Sequence, residues 1–166
     1  MDADRRAGDK ILVLLGEGGH TKEILILVDL LGPAYRYEYV ITAQDPLSEA
    51  KIHHAGPIHR VVRPRSKDES ILAAAGHVLR CAGQALAILR RSRPDALLTS
   101  GPALAVPFAF WARLLGVCVI FVETGSRVRQ LSLTGRLMRP LAHLFFVQWP
   151  SLRARYPRAI YAGRLC

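Results

Sequence analysis

Residues 15–23 read LGEGGHTKE and place the adjacent Gly18 and Gly19, followed by His20, between the apolar run KILVLL and the segment ILILVDLL. Glycines let backbone N–H groups approach an anion closely, and a helix starting near His20 aims the positive end of its dipole at the same place. Such a turn can hold a diphosphate without a cation. Imidazole is the side chain suited to proton transfer at physiological pH, which makes His20 a candidate for that role as well. The plain alternative is a tight strand-to-helix turn in which His20 caps the helix backbone.

Two other junctions share this character. Thr99-Ser100-Gly101-Pro102 follows the apolar run DALLTS, and Glu123-Thr124-Gly125-Ser126-Arg127 follows VCVIFV. The first turn is not a dinucleotide fingerprint, because Thr21 occupies the third glycine position of G-x-G-x-x-G. It lacks the Gly-Lys-Ser/Thr ending of a Walker loop. No His or acidic cluster has metal-ligand spacing, so no metal site is expected.

The elements that must position these residues alternate. KILVLL (10–15), YEYVIT (37–42), IHRVV (58–62), DALLTS (95–100), VCVIFVE (117–123) and HLFFVQ (143–148) have strand length. Ile24, Leu27, Val28 and Leu31 follow helical spacing, and further helices are expected near 46–54, 68–92, 103–115 and 132–141. This pattern predicts an α/β, Rossmann-like, doubly wound and mostly parallel sheet with helices on both faces. Ligands in such sheets bind beyond the carboxyl ends of the strands, where all three glycine-bearing turns fall. With 166 residues, 51% of them hydrophobic, the chain suits one core. We expect a flexible tail over residues 1–8 and a single domain over 9–166.

Charge is distributed unevenly. The formal net charge is +10, and from Ala96 onward nine arginines face one acid, Glu123. A field of this sign suits a phosphorylated substrate, an anionic membrane or nucleic acid. No nucleic-acid motif or aromatic-rich binding signature accompanies it, so a nucleic-acid partner is not expected. The three cysteines, Cys81, Cys118 and Cys166, are far apart in the chain and read as reduced packing residues. The opening MDADRRAGDK is neither a secretory signal nor an anchor.

Residues 71–89 approach the length of a membrane span, but His77, Arg80 and Gln84 interrupt them as one polar stripe. An amphipathic helix is the better reading, either in the core or lying at a bilayer interface with Arg90 and Arg91 at the headgroups. Arg60, Arg63, Arg65 and Lys67 precede it and would add attraction to anionic lipid. The apolar and basic stretch 131–144 carries Arg136, a further candidate for lipid contact.

GEGGHTKE at 16–23, VETGSRVRQLSLTGRLMRPLAHLFFVQWP at 122–150 and YPRAIYAGRL at 156–165 together resemble the asparagine-linked glycosylation protein fourteen family, with its bacterial polysaccharide-synthesis counterparts. The likeness runs over nearly all of the chain after Lys10. It implies the N-terminal, acceptor half of a GT-B glycosyltransferase, related in fold to the peptidoglycan N-acetylglucosaminyltransferase. On that resemblance the chain is the acceptor-binding and membrane-recruiting subunit of a two-subunit UDP-sugar transferase, by default for N-acetylglucosamine, and is inactive alone. It binds no cofactor itself. The UDP-sugar lies on a separate donor-binding subunit, and the acceptor is a lipid-diphosphate-linked sugar. Eukaryotic members usually begin with a membrane-spanning segment, whereas this sequence starts almost at its first strand and carries Gly125 where many relatives have a larger residue. A peripheral position on the cytoplasmic face of the membrane is expected.

The resemblance implies roles for the turns. Gly18, Gly19, His20, Gly101, Ser126 and Arg127 are candidates to bind the acceptor diphosphate. An acceptor hydroxyl needs a general base, for which His20 and Glu123 are the candidates: His20 as base or hydroxyl ligand, Glu123 as its orienter or the alternative base. An ion pair of Glu123 with Arg127 or Arg129 is the competing reading. Tyr161, Arg164 and Leu165 lie where a one-chain transferase would cross into its donor half, and form the expected partner interface. That tail could instead pair as a last strand within the domain. A non-catalytic membrane scaffold for the donor enzyme and a free-standing nucleotide-binding protein are the alternative functions.

Overall fold

A computed structural model describes residues 8–16, 19–43, 45, 47–62 and 71–165; of residues 71–75 only the backbone is described. Its sheet has seven parallel strands: β1 (Lys10–Leu14), β2 (Arg36–Thr42), β3 (Ile58–Val61), β4 (Ala96–Thr99), β5 (Cys118–Val122), β6 (Leu144–Val147) and β7 (Ile160–Tyr161). The helices are α1 (Gly19–Leu31), α2 (Ile71–Ser92), α3 (Ala105–Leu114), α4 (Leu133–Met138) and α5 (Pro150–Arg155).

Strand order is β3-β2-β1-β4-β5-β6-β7. The chain moves outward from β1 to β3, then returns to lay β4 against the other edge of β1. This reversal at β1/β4 opens a crevice between the turns that follow these two strands. Those turns contain His20 and Gly101.

The alternation along each strand divides the core. Leu12, Leu14, Leu97, Val119 and Phe121 point to one face, where Cys81, Ala85 and Leu89 of α2 meet Phe108 and Ala112 of α3, Met138 of α4 and Leu152 of α5. Ile11, Val13, Leu98 and Val122 point to the other, where Ile24, Leu25 and Val28 of α1 cover them. Both sides of the central strands are apolar because both are buried.

All six expected strands are present, within a residue or so at each end. The expected helix over 46–54 is instead one 3-10 turn, Glu49–Lys51. Ser48 uses its backbone N–H and hydroxyl on Asp45, and the chain beyond is held extended, with the Tyr39 hydroxyl donating to the His54 carbonyl at 2.7 Å. These side-chain bonds compete with helical ones. Helix α5 was not expected, and β7 realises the alternative, last-strand reading of the C-terminal tail by pairing with β6. Of the tail at 1–8, residues 1–7 lie outside the described part, and the Gly8 carbonyl accepts from Arg36 Nε at 3.0 Å.

Candidate functional site

The turn after β1 and the turn after β4 meet through His20. Its Nδ1 lies 3.4 Å from the Ser100 hydroxyl, and its ring rests on Gly101, whose φ is +72°. A Cβ at Gly101 would strain the left-handed backbone and stand 3.0 Å from His20 Cε1, so the turn favours glycine and any larger residue would push the histidine ring aside. In the tautomer that donates from Nδ1 to Ser100, the Nε2 lone pair can take a proton. His20 is half-buried, and its ring turns to Ser100, just beyond β4. The next residue, Thr21, is buried, bonds the Gly16 carbonyl and lies 3.1 Å from the Ser48 hydroxyl, which fixes the start of α1.

Glu123 occupies a different setting. It has no exposed surface, its Oε1 accepts from the Thr124 N–H at 3.1 Å, and its Oε2 accepts from the Ser132 N–H at 3.0 Å and the Ser132 hydroxyl at 3.1 Å. Ser132 in turn caps α4 by accepting from the Gly135 N–H at 2.9 Å. Gly135 is pressed onto the carboxylate, since a Cβ there would lie 2.0 Å from Glu123 Oε2. Burial raises the Glu123 pKa above the usual carboxylate range, opposed by the Ser132 and Thr124 bonds and by the Arg127 charge. None of these hydrogen bonds involves His20, so the structure gives no support to Glu123 as its orienter. Nor is Glu123 in any ion pair among the described residues. Its geometry is that of a clamp on the loop 124–131.

That loop carries Ser126 and Arg127, both exposed, and its inner edge is held by groups that sequence reasoning missed. Glu23 accepts from the Thr124 hydroxyl and the Gly125 N–H, each at 3.0 Å. Gln148 donates to Glu23 Oε2 at 3.3 Å, and Trp149 Nε1 donates to the Gly125 carbonyl at 2.6 Å. Signals for both carboxylate and amide existed: Glu23 lies three residues after His20 on one helix face, and Gln148 is the first residue after β6.

Gly19, His20 and Gly101 thus come together at the β1/β4 crevice, and the loop bearing Ser126 and Arg127 is tied to the helix of His20. Gly18 lies outside the described residues, as do Arg63, Arg65 and Lys67. Among the basic candidates, Arg60 is ion-paired with Glu49, and Arg136 donates to the Gln130 side chain at 3.3 Å. Arg80, Arg90 and Arg91 lie exposed along α2. That helix buries Cys81, Ala85 and Leu89 on the sheet, while Gln84 accepts from the Val62 N–H at 2.9 Å, so it is a core helix. Its outer side still shows Leu79, 73% exposed, beside Val78 and Arg80. No helix among the described residues is long and apolar enough to cross a membrane. At the C-terminal end, Tyr161 is exposed, Arg164 lies over the Trp149 ring at 4.2 Å, and Leu165 is partly buried against the α1-side core.

The fold matches solved structures at low identity. MurG of Acinetobacter baumannii aligns with a TM-score of 0.71 at 18% identity over 94% of this chain and 45% of that one. A UDP-N-acetylglucosamine 2-epimerase aligns at 0.73 and 15% identity over 95% of this chain and 48% of that one. The chain therefore shares its fold with somewhat less than half of each of these proteins. Sequence relatives are closer. UDP-N-acetylglucosamine transferase subunit ALG14 of Mus musculus is 35% identical over 94% of this chain and 82% of its own length. The protein of that name from Homo sapiens is 35% identical over 99% and 87%, and that from Eremothecium gossypii 34% over 93% and 79%. A family profile described as "Oligosaccharide biosynthesis protein Alg14 like" matches residues 11–165, which span every strand and helix of the sheet from the second residue of β1 onward. The glycine turn, the Glu123 clamp and the C-terminal strand all fall inside that match, and the chain belongs to the Alg14-like family.

Proposed function

We propose that this chain is the acceptor-binding, membrane-recruiting subunit of a bipartite glycosyltransferase. The enzyme transfers a sugar, by default N-acetylglucosamine, from a UDP-sugar to a lipid-diphosphate-linked sugar. The observation that carries the reading is the crevice at β1/β4, where Gly19, His20 and Gly101 converge in a domain equivalent to half of a two-domain architecture. Family relatives named as UDP-N-acetylglucosamine transferase subunits support the reaction class.

In this reading the turn at 18–20, with Gly101, Ser126 and Arg127, binds the acceptor diphosphate. His20 Nε2 takes the proton of the acceptor hydroxyl, whose oxygen bonds to C1 of the donor sugar as the bond from C1 to the UDP oxygen breaks. Glu123, buried with both oxygens occupied, holds the loop and leaves the base role to His20. The UDP-sugar is bound by the partner subunit, and this chain binds no cofactor.

The partner docks at the C-terminal end. Beside α1 on the second face of the sheet, Ile120, Leu144 and Phe146 line an apolar groove of about 400 Å³ together with Arg164 and Leu165. Tyr161, Arg164 and Leu165 are thus suitably placed for a partner contact although β7 also belongs to this domain. Membrane contact falls to Arg80, Arg90, Arg91 and Arg136, with Arg60 and the basic residues 63–67, on the cytoplasmic face.

Co-expression with the donor-binding subunit, followed by a transfer assay over UDP-sugars and lipid-diphosphate acceptors, tests the proposal. Activity is expected only when both chains are present. Robust turnover by the single chain would overturn the bipartite reading, and full turnover with the His20→Ala chain would leave this subunit a scaffold.

A further inference from the structure

Glu23 is only 7% exposed and takes part in none of the ion pairs among the described residues. A buried carboxylate without a cation needs hydrogen-bond donors, and the three that Glu23 has come from distant parts of the chain. Thr124 and Gly125 supply two of them from the turn after β5. Gln148 supplies the third from the end of β6, and its side chain is 2% exposed. The same Gln148 amino group donates to the Glu123 carbonyl at 3.1 Å, while Gln148 Oε1 accepts from the Leu165 N–H at 2.9 Å. Each side of the amide is therefore used, which leaves it one orientation.

We infer that Glu23 and Gln148 are positioning residues that hold Ser126 and Arg127 in register with His20, and that the C-terminal segment closes this lock through the Leu165 N–H. Glu23 stands one turn along α1 from His20, so any shift of the 124–126 turn against Glu23 is a shift against the histidine. The Trp149 bond to the Gly125 carbonyl, with Arg164 stacked on the indole, adds a second tie from the C-terminal segment to the same turn. A segment that is ordered by a partner would thereby order the acceptor loop, and a loop occupied by acceptor would favour the ordered segment by the same factor. The bearing on acceptor binding rests on the function proposed above; the lock itself does not.

Two measurements test it. In the full chain, amide hydrogen exchange of residues 124–130 is compared with that of β1 and β4, whose protection reports the global fold. Gln148→Ala leaves three groups unpaired, and the Gly125 N–H is expected to exchange at least about tenfold faster while the strands remain protected. Glu23→Gln sets an amide donor either against the Gln148 amino group or against the Thr124 and Gly125 donors, whichever way it rotates, and should likewise speed exchange at Gly125. Unchanged exchange in Gln148→Ala or in Glu23→Gln overturns the lock. In the reconstituted two-chain enzyme, Gln148→Ala should raise the KM for the acceptor about tenfold and leave that for the UDP-sugar unchanged. A loosened loop with an unmoved acceptor KM would overturn the positioning role. If the wild-type complex transferred no sugar, the function would fall while the exchange result stood.

Discussion

The two walls of the site are built in opposite ways. On one, His20 has one long hydrogen-bond contact among the described residues, to Ser100, remains half-exposed and rests on the bare backbone of Gly101. On the other, Glu123 is sealed from solvent, receives three hydrogen bonds and has Gly135 pressed against it. Both walls offer a titratable group near the carboxyl end of a strand, and the sequence made both candidates for chemistry, His20 as base and Glu123 as its orienter or the alternative base. The difference lies in what their bonds leave free. A group intended for a ligand keeps bonding capacity in reserve, whereas a group intended for the fold spends all of it.

Substitutions can break or sharpen this contrast. The largest expected effect is on the sealed wall: Gly135→Ala drives a methyl into a carboxylate that cannot move without losing its bonds, so stability should fall by about 3 kcal/mol or more in denaturant unfolding. A mild change would mean that the wall is looser than its geometry. On the open wall, His20→Ala should lower transfer about 10²-fold in the two-chain enzyme and leave Tm within about 2 °C of wild type. A large fall in Tm would make His20 a second structural clamp.

Glu123→Gln comes next, with an expected loss of about 1–3 kcal/mol, because the new amide presents donors to the donors of Ser132. Its pH dependence has a definite sign. The Glu123 pKa is raised by burial, so the folded state holds this proton more tightly than the unfolded chain, whose value is near 4.5. The stability that the proton contributes is full below that value and is lost as pH rises through the higher folded pKa. The advantage of wild type over Glu123→Gln should therefore be greatest in acid and shrink as pH rises. An advantage that grew with pH would show that the hydrogen bonds outweigh desolvation.

The smallest effect extends the contrast to the basic surface. Arg60 is spent on Glu49, whereas Arg90 and Arg91 are in no ion pair among the described residues. Replacing Arg90 or Arg91 by Ala should weaken binding to anionic vesicles about fivefold each at low salt, and replacing Arg60 by less. Equal effects at all three would dissolve the distinction.

Strands were legible because a buried parallel strand is a short apolar run, and the position of His20 at the carboxyl end of the sheet was legible because glycines after such a run mark the turn into a helix. The helix expected at 46–54 failed because Ser48 bonds Asp45 and Tyr39 bonds the His54 carbonyl, which helical propensity does not register. Helix α5 and strand β7 are too short, at 6 and 2 residues, to show a period. The role of Glu123 was hidden for another reason. Its partner Ser132 is nine residues away and the packing of Gly135 twelve, across a loop without regular spacing, so only the folded chain brings them together.

The central place of β1 has a consequence for how the protein is made. Its two neighbours are β2, which begins at Arg36, and β4, which begins at Ala96. On a ribosome, β1 to β3 can pair early, but the second edge of β1 has no mate until the fourth strand is synthesised. At about 5–20 residues per second, the interval from the end of β1 to Ala96 lasts roughly 4 to 16 s. Throughout that interval the nascent chain presents the row of amides and carbonyls beside Ile11, Leu12, Val13 and Leu14, an apolar strand edge open to any other extended segment. The period of greatest hazard for this chain is thus set by translation speed over the whole stretch between β1 and β4, of which the 22 residues of α2 are only the last part.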